Sequence, residues 1–136
     1  MNNGRFAISI HILTLLCKSP GEFLSSDYIA GSININPVLV RKEIAELKKA
    51  GYIESKEGKN GGCMLSKSPE HINFADVLKL VSPNSILSYA KNVPNPYCPV
   101  GKEIKQHLNT LYTEAENAMF NNLSNINLKQ FCNQFK

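Results

Sequence analysis

At 136 residues and 15.1 kDa, with 43% hydrophobic and 19% charged residues, the chain can bury one core plus an appendage and is too short for two ordinary domains. This balance excludes a disordered chain, and the apolar run "FAISIHILTLLC" is too short, and too interrupted by His11, for a membrane span or signal peptide, so a cytoplasmic protein with no membrane partner is expected. A net charge of +4 is mild, but seven bases (Arg41, Lys42, Lys48, Lys49, Lys56, Lys59, Lys67) stand against four acids (Glu43, Glu46, Glu54, Glu57) between residues 41 and 67, which points modestly toward a polyanion.

The first element, "RFAISIHILTLLCK", is apolar nearly all round and ends at Ser19, Pro20 and Gly21, which suits a buried helix better than the strand its "ISIHI" alternation suggests. Ser25 or Ser26 then offers an N-cap for a brief helix, "DYIAGS". The clearest helix follows in "NINPVLVRKEIAELKKAGYI". Asn36 is a good N-cap, Pro37 suits the first helical position, and Gly51 can adopt the left-handed conformation that ends a helix. Val40, Ile44 and Leu47 form one apolar stripe, leaving Asn36, Val38, Arg41, Lys42, Lys48 and Lys49 largely on other faces.

After Gly51 the period becomes strand-like in "YIESK", and a second strand, "CMLSK", follows "EGKNGG". A phosphate-binding loop of the Walker type needs glycine, lysine and Ser or Thr leading into a helix. Here the glycines lead into Cys63, Met64 and Leu65, a strand, so Asn60-Gly61 reads as a hairpin turn. Asn73 caps a helix "FADVLKLV", residues 82–97 read as a loop with at most one helical turn, and a long helix is predicted from Pro99. In that helix Ile104, Leu108, Leu111, Ala115 and Ala118 recur at spacings of four and three, a stripe that needs a second surface: a two-chain helical seam or its own domain.

Helix, short helix, helix with a free polar face and two-stranded hairpin, in that order, outline a mainly α chain built as a winged helix-turn-helix. Its predicted division is a DNA-binding domain over residues 1–81, a loop or linker over 82–98, and a long dimerisation helix with a C-terminal tail over 99–136. The second helix of the pair can enter a major groove by its N-terminal end, with the hairpin tip reaching phosphates or the minor groove beside it. Arg41, Lys42 and Lys59 would then meet groove or phosphate, Asn36 and Asn60 would donate or accept hydrogen bonds, and Val38 or Leu39 would meet a thymine methyl. Each is otherwise an exposed residue with no partner.

The letters "INPVLVRKEIAELKKAGYIESKEGKNGGCMLSKSPEHINFADVLKLV" closely resemble the Rrf-type winged-helix transcription regulators, a group that includes the iron-sulfur cluster regulator, the nitric-oxide-sensing repressor and the cysteine-metabolism repressor. The resemblance runs from "RFAISIHIL" through "CPVGKEIKQHL" and "AENAM", essentially the whole chain. It implies a homodimer whose long C-terminal helices cross between subunits, each subunit presenting a recognition helix and wing to half of a palindromic double-stranded operator. DNA-contacting positions would fall at Asn36 to Lys42, including Val38 and Leu39, and at Lys59, Asn60 and Gly61. Cluster-bearing members group three cysteines around the start of the long helix. This chain has only Cys98 there, so no iron-sulfur cluster and no other cofactor is expected.

The four cysteines, Cys17, Cys63, Cys98 and Cys132, are more than thirty residues apart, without the spacing of a zinc knuckle. In "YCPVGKE", Cys98 stands just before a helix that begins at Pro99, where free amides and the helix dipole favour a thiolate. The resemblance includes a thiol-sensing branch, which makes Cys98 the candidate redox sensor, with an inert semi-buried cysteine as the alternative. No histidine and acid constellation is legible near it, which argues against an enzyme. His11 reads as a core residue, His71 as a loop residue, His107 as exposed and Cys63 as facing the core from the wing. The expected function is a dimeric, sequence-specific DNA-binding regulator, a repressor switched by Cys98 oxidation. A winged-helix protein-interaction module, or a ligand-responsive regulator without redox sensing, is the alternative. Oxidation would act by moving the start of the long helix and so the spacing of two reading heads ~34 to 36 Å apart.

Overall fold

In the computed structural model, which describes residues 4–136, helix α1 (Gly4–Lys18) buries Ser9, Ile10, Ile12, Leu13, Thr14 and Leu16, as its nearly unbroken apolar run requires. Ser25 caps α2 (Ser26–Ile33) by accepting from the Tyr28 N–H, and Asn34, at φ 63°, ends it while its own N–H donates to the Ala30 carbonyl. That left-handed residue turns the chain directly into α3 (Pro37–Lys49), whose N-terminus carries both predicted signals: the Asn36 side-chain oxygen Oδ1 accepts from the Val38 N–H at 2.9 Å, and Pro37 follows. Gly51, at φ 90°, releases the chain into the hairpin.

Strands β1 (Ile53–Lys56) and β2 (Gly62–Leu65) pair antiparallel with Ile53 opposite Leu65 and Lys56 opposite Gly62. The connection is wider than the two-residue turn that Asn60-Gly61 predicts. Residues 57–61 form the tip, with Gly58 at φ 93° and Asn60 at φ 66°, and the Gly61 N–H closes it on the Gly58 carbonyl. The base of the hairpin is tied to the helices by paired backbone hydrogen bonds of 2.9 Å between Leu24 and Cys63.

A short 3₁₀ turn (Pro69–His71) leads to α4 (Phe74–Val81), where Asn73 accepts from the Ala75 and Asp76 N–H groups as its sequence predicts. Residues 82–98 contain no helical turn and lie along α5 (Pro99–Leu123). Tyr89 stacks on Tyr112 with ring centres 5.2 Å apart, the Tyr112 hydroxyl donates to the Ser88 carbonyl, and the Glu116 carboxylate accepts from Ser85, Ile86 and Leu87.

The chain past α5 is more than a tail. Asn127 and Gln130 form a reciprocal capping box that starts α6 (Leu128–Cys132), and Leu128 is fully buried in the core. The Leu128 N–H donates to Ile72, the Phe74 N–H to Ile126, and Phe131 packs on Phe74 with centres 5.1 Å apart. One core therefore joins α1, α2, α3, the hairpin, α4 and α6, with Ile12, Leu13, Ile29, Val40, Leu47 and Ile72 among its fully buried side chains. The fold is mostly helical with a small wing, the class predicted.

Candidate nucleic-acid interface

The face opposite that core is set by how α3 is seated. Val40 and Leu47 are fully buried and Ile44 is half-buried, as the stripe predicts, but Glu43 lies between them on the same face and is only 4% exposed. Its carboxylate accepts from the Arg5 Nε at 2.8 Å and from the Ser9 hydroxyl at 3.2 Å, and a second Arg5 nitrogen donates to the Val81 carbonyl. A carboxylate in this position is stable only because it is paired and hydrogen-bonded. The sequence counts Glu43 among the charges of a basic surface. The fold instead withdraws it and uses it to fix the rotation of α3 on α1, leaving the outer surface more basic than composition suggests.

With α3 held in that rotation, Asn36, Val38, Leu39, Arg41 and Lys42 all face solvent, Val38 being 59% and Leu39 49% exposed. Two adjacent apolar side chains at the helix N-terminus are thus open to solvent. Asn36 spends its carbonyl oxygen on the cap, so its amide N–H₂ is the group left to meet an acceptor. No ion pair among the described residues involves Arg41, Lys42 or Lys59.

The wing is fixed to this helix at two points. The Lys48 ammonium donates to the Ser55 hydroxyl at 2.7 Å, and the Tyr52 N–H donates to the Leu47 carbonyl at 3.0 Å. At the tip Lys59 and Asn60 are exposed, alongside Glu57, while Gly61 is half-buried. Gly61 and Gly62 are required by the protein's own backbone rather than by a ligand: a β-carbon on Gly61 would run into the Lys56 carbonyl, and one on Gly62 into that of Leu24. Sequence inspection passes over Tyr28, 60% exposed in the first turn of α2. The signal that could have found it is a large aromatic in a short helix whose buried residues are only Ile29 and Ala30.

Cys98 is exposed at the N-cap of α5. The contact falls short of a full capping hydrogen bond, yet the Gly101 and then the Val100 N–H groups hold the thiol below its ordinary pKa. The other cysteines differ: burial pushes Cys63 up to about 11, and burial followed by the neighbouring Cys132 thiol pushes Cys17 up to about 12. Cys98 and the turn into α6 stand at opposite ends of a 25-residue helix, roughly 37 Å long at 1.5 Å per residue, so one chain does not gather its cysteines into a ligand set. Among the described residues no three His, Cys, Asp or Glu side chains are placed to hold a metal ion. His11 is half-buried with its Nε2 2.9 Å from the Ser32 hydroxyl, and His107 is exposed near Glu103.

A capped helix with an exposed polar and apolar N-terminal face, braced from below and joined to a basic-tipped hairpin, defines a winged helix-turn-helix DNA-binding protein. Residues 2–134 match Rrf2, described as an iron-dependent transcriptional regulator, and the chain belongs to this family. It is similar to YwnA of Bacillus subtilis strain 168, by name an HTH-type transcriptional regulator, with 41% identity over 133 residues and 98% of each chain covered. A solved transcriptional-regulator structure from Lactobacillus plantarum superposes with a TM-score of 0.79 at 27% identity, covering 92% of this chain and 85% of the other. The oxidized form of Staphylococcus aureus CymR shares the fold at a TM-score of 0.72 and 24% identity, covering 97% and 96%. The chain is thus a DNA-binding transcriptional regulator and not an enzyme, and none of its described helices is long and apolar enough to cross a membrane.

Proposed function

We propose that the protein is a homodimeric repressor that binds a palindromic operator in the cytoplasm, with α3 and the wing of each subunit reading one half-site. The observation that carries this reading is the seating of α3: a buried Glu43 beneath it and exposed Asn36, Val38, Leu39, Arg41 and Lys42 above it, on a unit to which Lys59, Asn60 and Gly61 are rigidly joined. Arg41, Lys42 and Lys59 neutralise phosphates, Asn36 and Asn60 supply hydrogen bonds, and Val38 and Leu39 fill the groove beside thymine methyls. No iron-sulfur cluster is part of this reading. Cys98 is its switch: the exposed thiolate attacks one oxygen of a small peroxide, becoming a sulfenic acid while the other oxygen leaves as hydroxide, and the modified sulfur displaces the first turn of α5.

Anisotropy titration of the reduced protein against its own upstream DNA and a scrambled control, at two salt concentrations, tests the operator reading. Tight binding confined to the upstream DNA is expected, and equal feeble binding to both would overturn it. Repeating the titration with oxidised Cys98→Ser tests the switch, because this variant should bind normally and no longer respond. Metal analysis and visible absorbance of an anaerobic preparation test the cofactor reading, which stoichiometric iron would sink.

A cavity of about 710 Å³ between α1 and α6 favours a second reading, in which an apolar effector sets affinity. Phe6, Ile10, Phe74, Phe131 and Phe135 line it, with His11 and Lys18 also on its wall.

A further inference from the structure

Two cysteines that the DNA-binding reading does not use lie where the two ends of the fold meet. Cys17 is the penultimate residue of α1 and Cys132 the last residue of α6, and these helices pack on one another. Contacts bracket the two positions: next to Cys17, the Lys18 ammonium donates to the carbonyl of Phe135 at 2.8 Å, and next to Cys132, Phe131 packs on Phe74 and joins the same core edge as Cys17. The Cys132 thiol, Lys18 and Lys129 stand close enough to act on the Cys17 sulfur. Cys132 is buried, whereas Cys17 is half-buried and forms part of the wall of a surface cleft of about 290 Å³, together with Pro20, Gly21, Met64, Leu65 and Pro69. One cysteine of the pair thus lines a surface cleft while the other is buried.

We propose that Cys17 and Cys132 form an intramolecular dithiol–disulfide pair, oxidised through Cys17 by a small disulfide and independent of Cys98. The Cys17 thiolate attacks one sulfur of the disulfide, forming a mixed disulfide and expelling one thiolate. The Cys132 thiolate then attacks the Cys17 sulfur, closes the Cys17–Cys132 bond and expels the second thiolate. Both cysteine protons end on the two small thiols released, and the two electrons given up by the cysteines reduce the disulfide. Burial keeps the attacking Cys17 thiol protonated near neutrality, so the pair closes at least about tenfold more slowly than the exposed Cys98 reacts. Once closed, the bond staples the helix that follows α5 to the first helix of the DNA-binding unit, constraining the whole intervening chain.

The test uses full-length Cys98→Ser, reduced and then exposed to oxidised glutathione, with free thiols counted after denaturation. Three thiols per chain (Cys17, Cys63, Cys132) should fall to one, with no gain in mass from glutathione. Peptide mapping should find Cys17 joined to Cys132 within one chain, and the thermal midpoint should rise. In Cys17→Ser/Cys98→Ser the remaining two thiols should survive, and Cys17→Ala/Cys98→Ala serves if that protein folds poorly. Retention of all three thiols at a glutathione dose and time that fully oxidise Cys98 a hundredfold over, or arrest at a mixed disulfide on Cys17 with Cys132 free, would overturn the proposal.

Discussion

The exposed and buried thiols of this chain differ in what surrounds each sulfur, and that difference can be read in a rate. Cys98 has two helix-terminal amides and no burial, whereas Cys63 and Cys17 are pushed up to about 11 and about 12. Alkylation by iodoacetamide follows the thiolate fraction, so the Cys98 rate should reach half its plateau at a lower pH than that of free cysteine. Cys63 and Cys17, pushed up to about 11 and about 12, should label far more slowly than Cys98 across that range in the native protein. A Cys98 profile that overlays free cysteine would remove the electrostatic ground for choosing it as sensor. The thiolate position was legible in "YCPVGKE" because a proline at the first helical position announces a helix start. Glu43 was not legible: its letter says solvent, and only the spacing of three from Val40 and four to Leu47 hints that it faces inward. Removing Arg5 should therefore cost more than neutralising its partner, since Arg5→Ala strands a buried carboxylate while Glu43→Gln keeps hydrogen-bonding capacity. Chemical denaturation should give a loss of about 2 to 3 kcal/mol for Arg5→Ala and about 1 kcal/mol for Glu43→Gln, at the low end because Arg5 is partly exposed. The reverse order would mean that the pair does not seat α3.

Among the elements, the recognition helix and the wing depend on different kinds of signal. Asn36, Pro37 and Gly51 fix α3 locally, so its limits could be read directly. The wing strands were legible from their period, but the tip was not, because Gly58 and Asn60, and not Asn60-Gly61, take the positive φ angles once Leu24 docks against β2. The short helix α6 was missed for a related reason: five residues carry little periodicity, and its stability comes from Leu128 entering a core assembled some fifty residues earlier. Gly62 shows how the wing is held. It sits at φ 149° against the Leu24 carbonyl, so Gly62→Ala has to open the bridge that ties the hairpin to the start of α2. If the wing contacts DNA as proposed, operator affinity should fall by about tenfold or more while the helical circular-dichroism signal is retained. Affinity unchanged in Gly62→Ala would mean that the hairpin does not touch DNA.

At the scale of the molecule, the unresolved question from the sequence was what covers the apolar stripe of α5. The chain itself covers part of it: Tyr89 and the loop around it lie over Ile104 and Leu108, leaving both half-buried. The remainder is open. None of the 25 residues of α5 is buried, Leu111 is 57% exposed, and Ala115 and Ala118 continue the same line in solvent. A helix of this length keeps its shape chiefly by packing, and a leucine flanked by alanines at spacings of four and three suits close approach of a second helix. In the proposed dimer a second copy of the chain would supply one, and with it the second reading head that a palindrome requires. Sedimentation equilibrium should therefore give twice 15.1 kDa for the parent protein. Leu111→Asp, which places a charge in the seam, should give a species of 15.1 kDa that keeps its helical signal, because no core residue is touched. Leu111→Met conserves volume and should remain dimeric. The monomer retains α3 and the wing but holds only one half-site, so its operator binding should weaken by two orders of magnitude or more, with half-site affinity unchanged. A Leu111→Asp protein that still sediments at twice 15.1 kDa would place the dimer contact elsewhere, and full operator affinity in a proven monomer would leave α5 without a part in reading DNA.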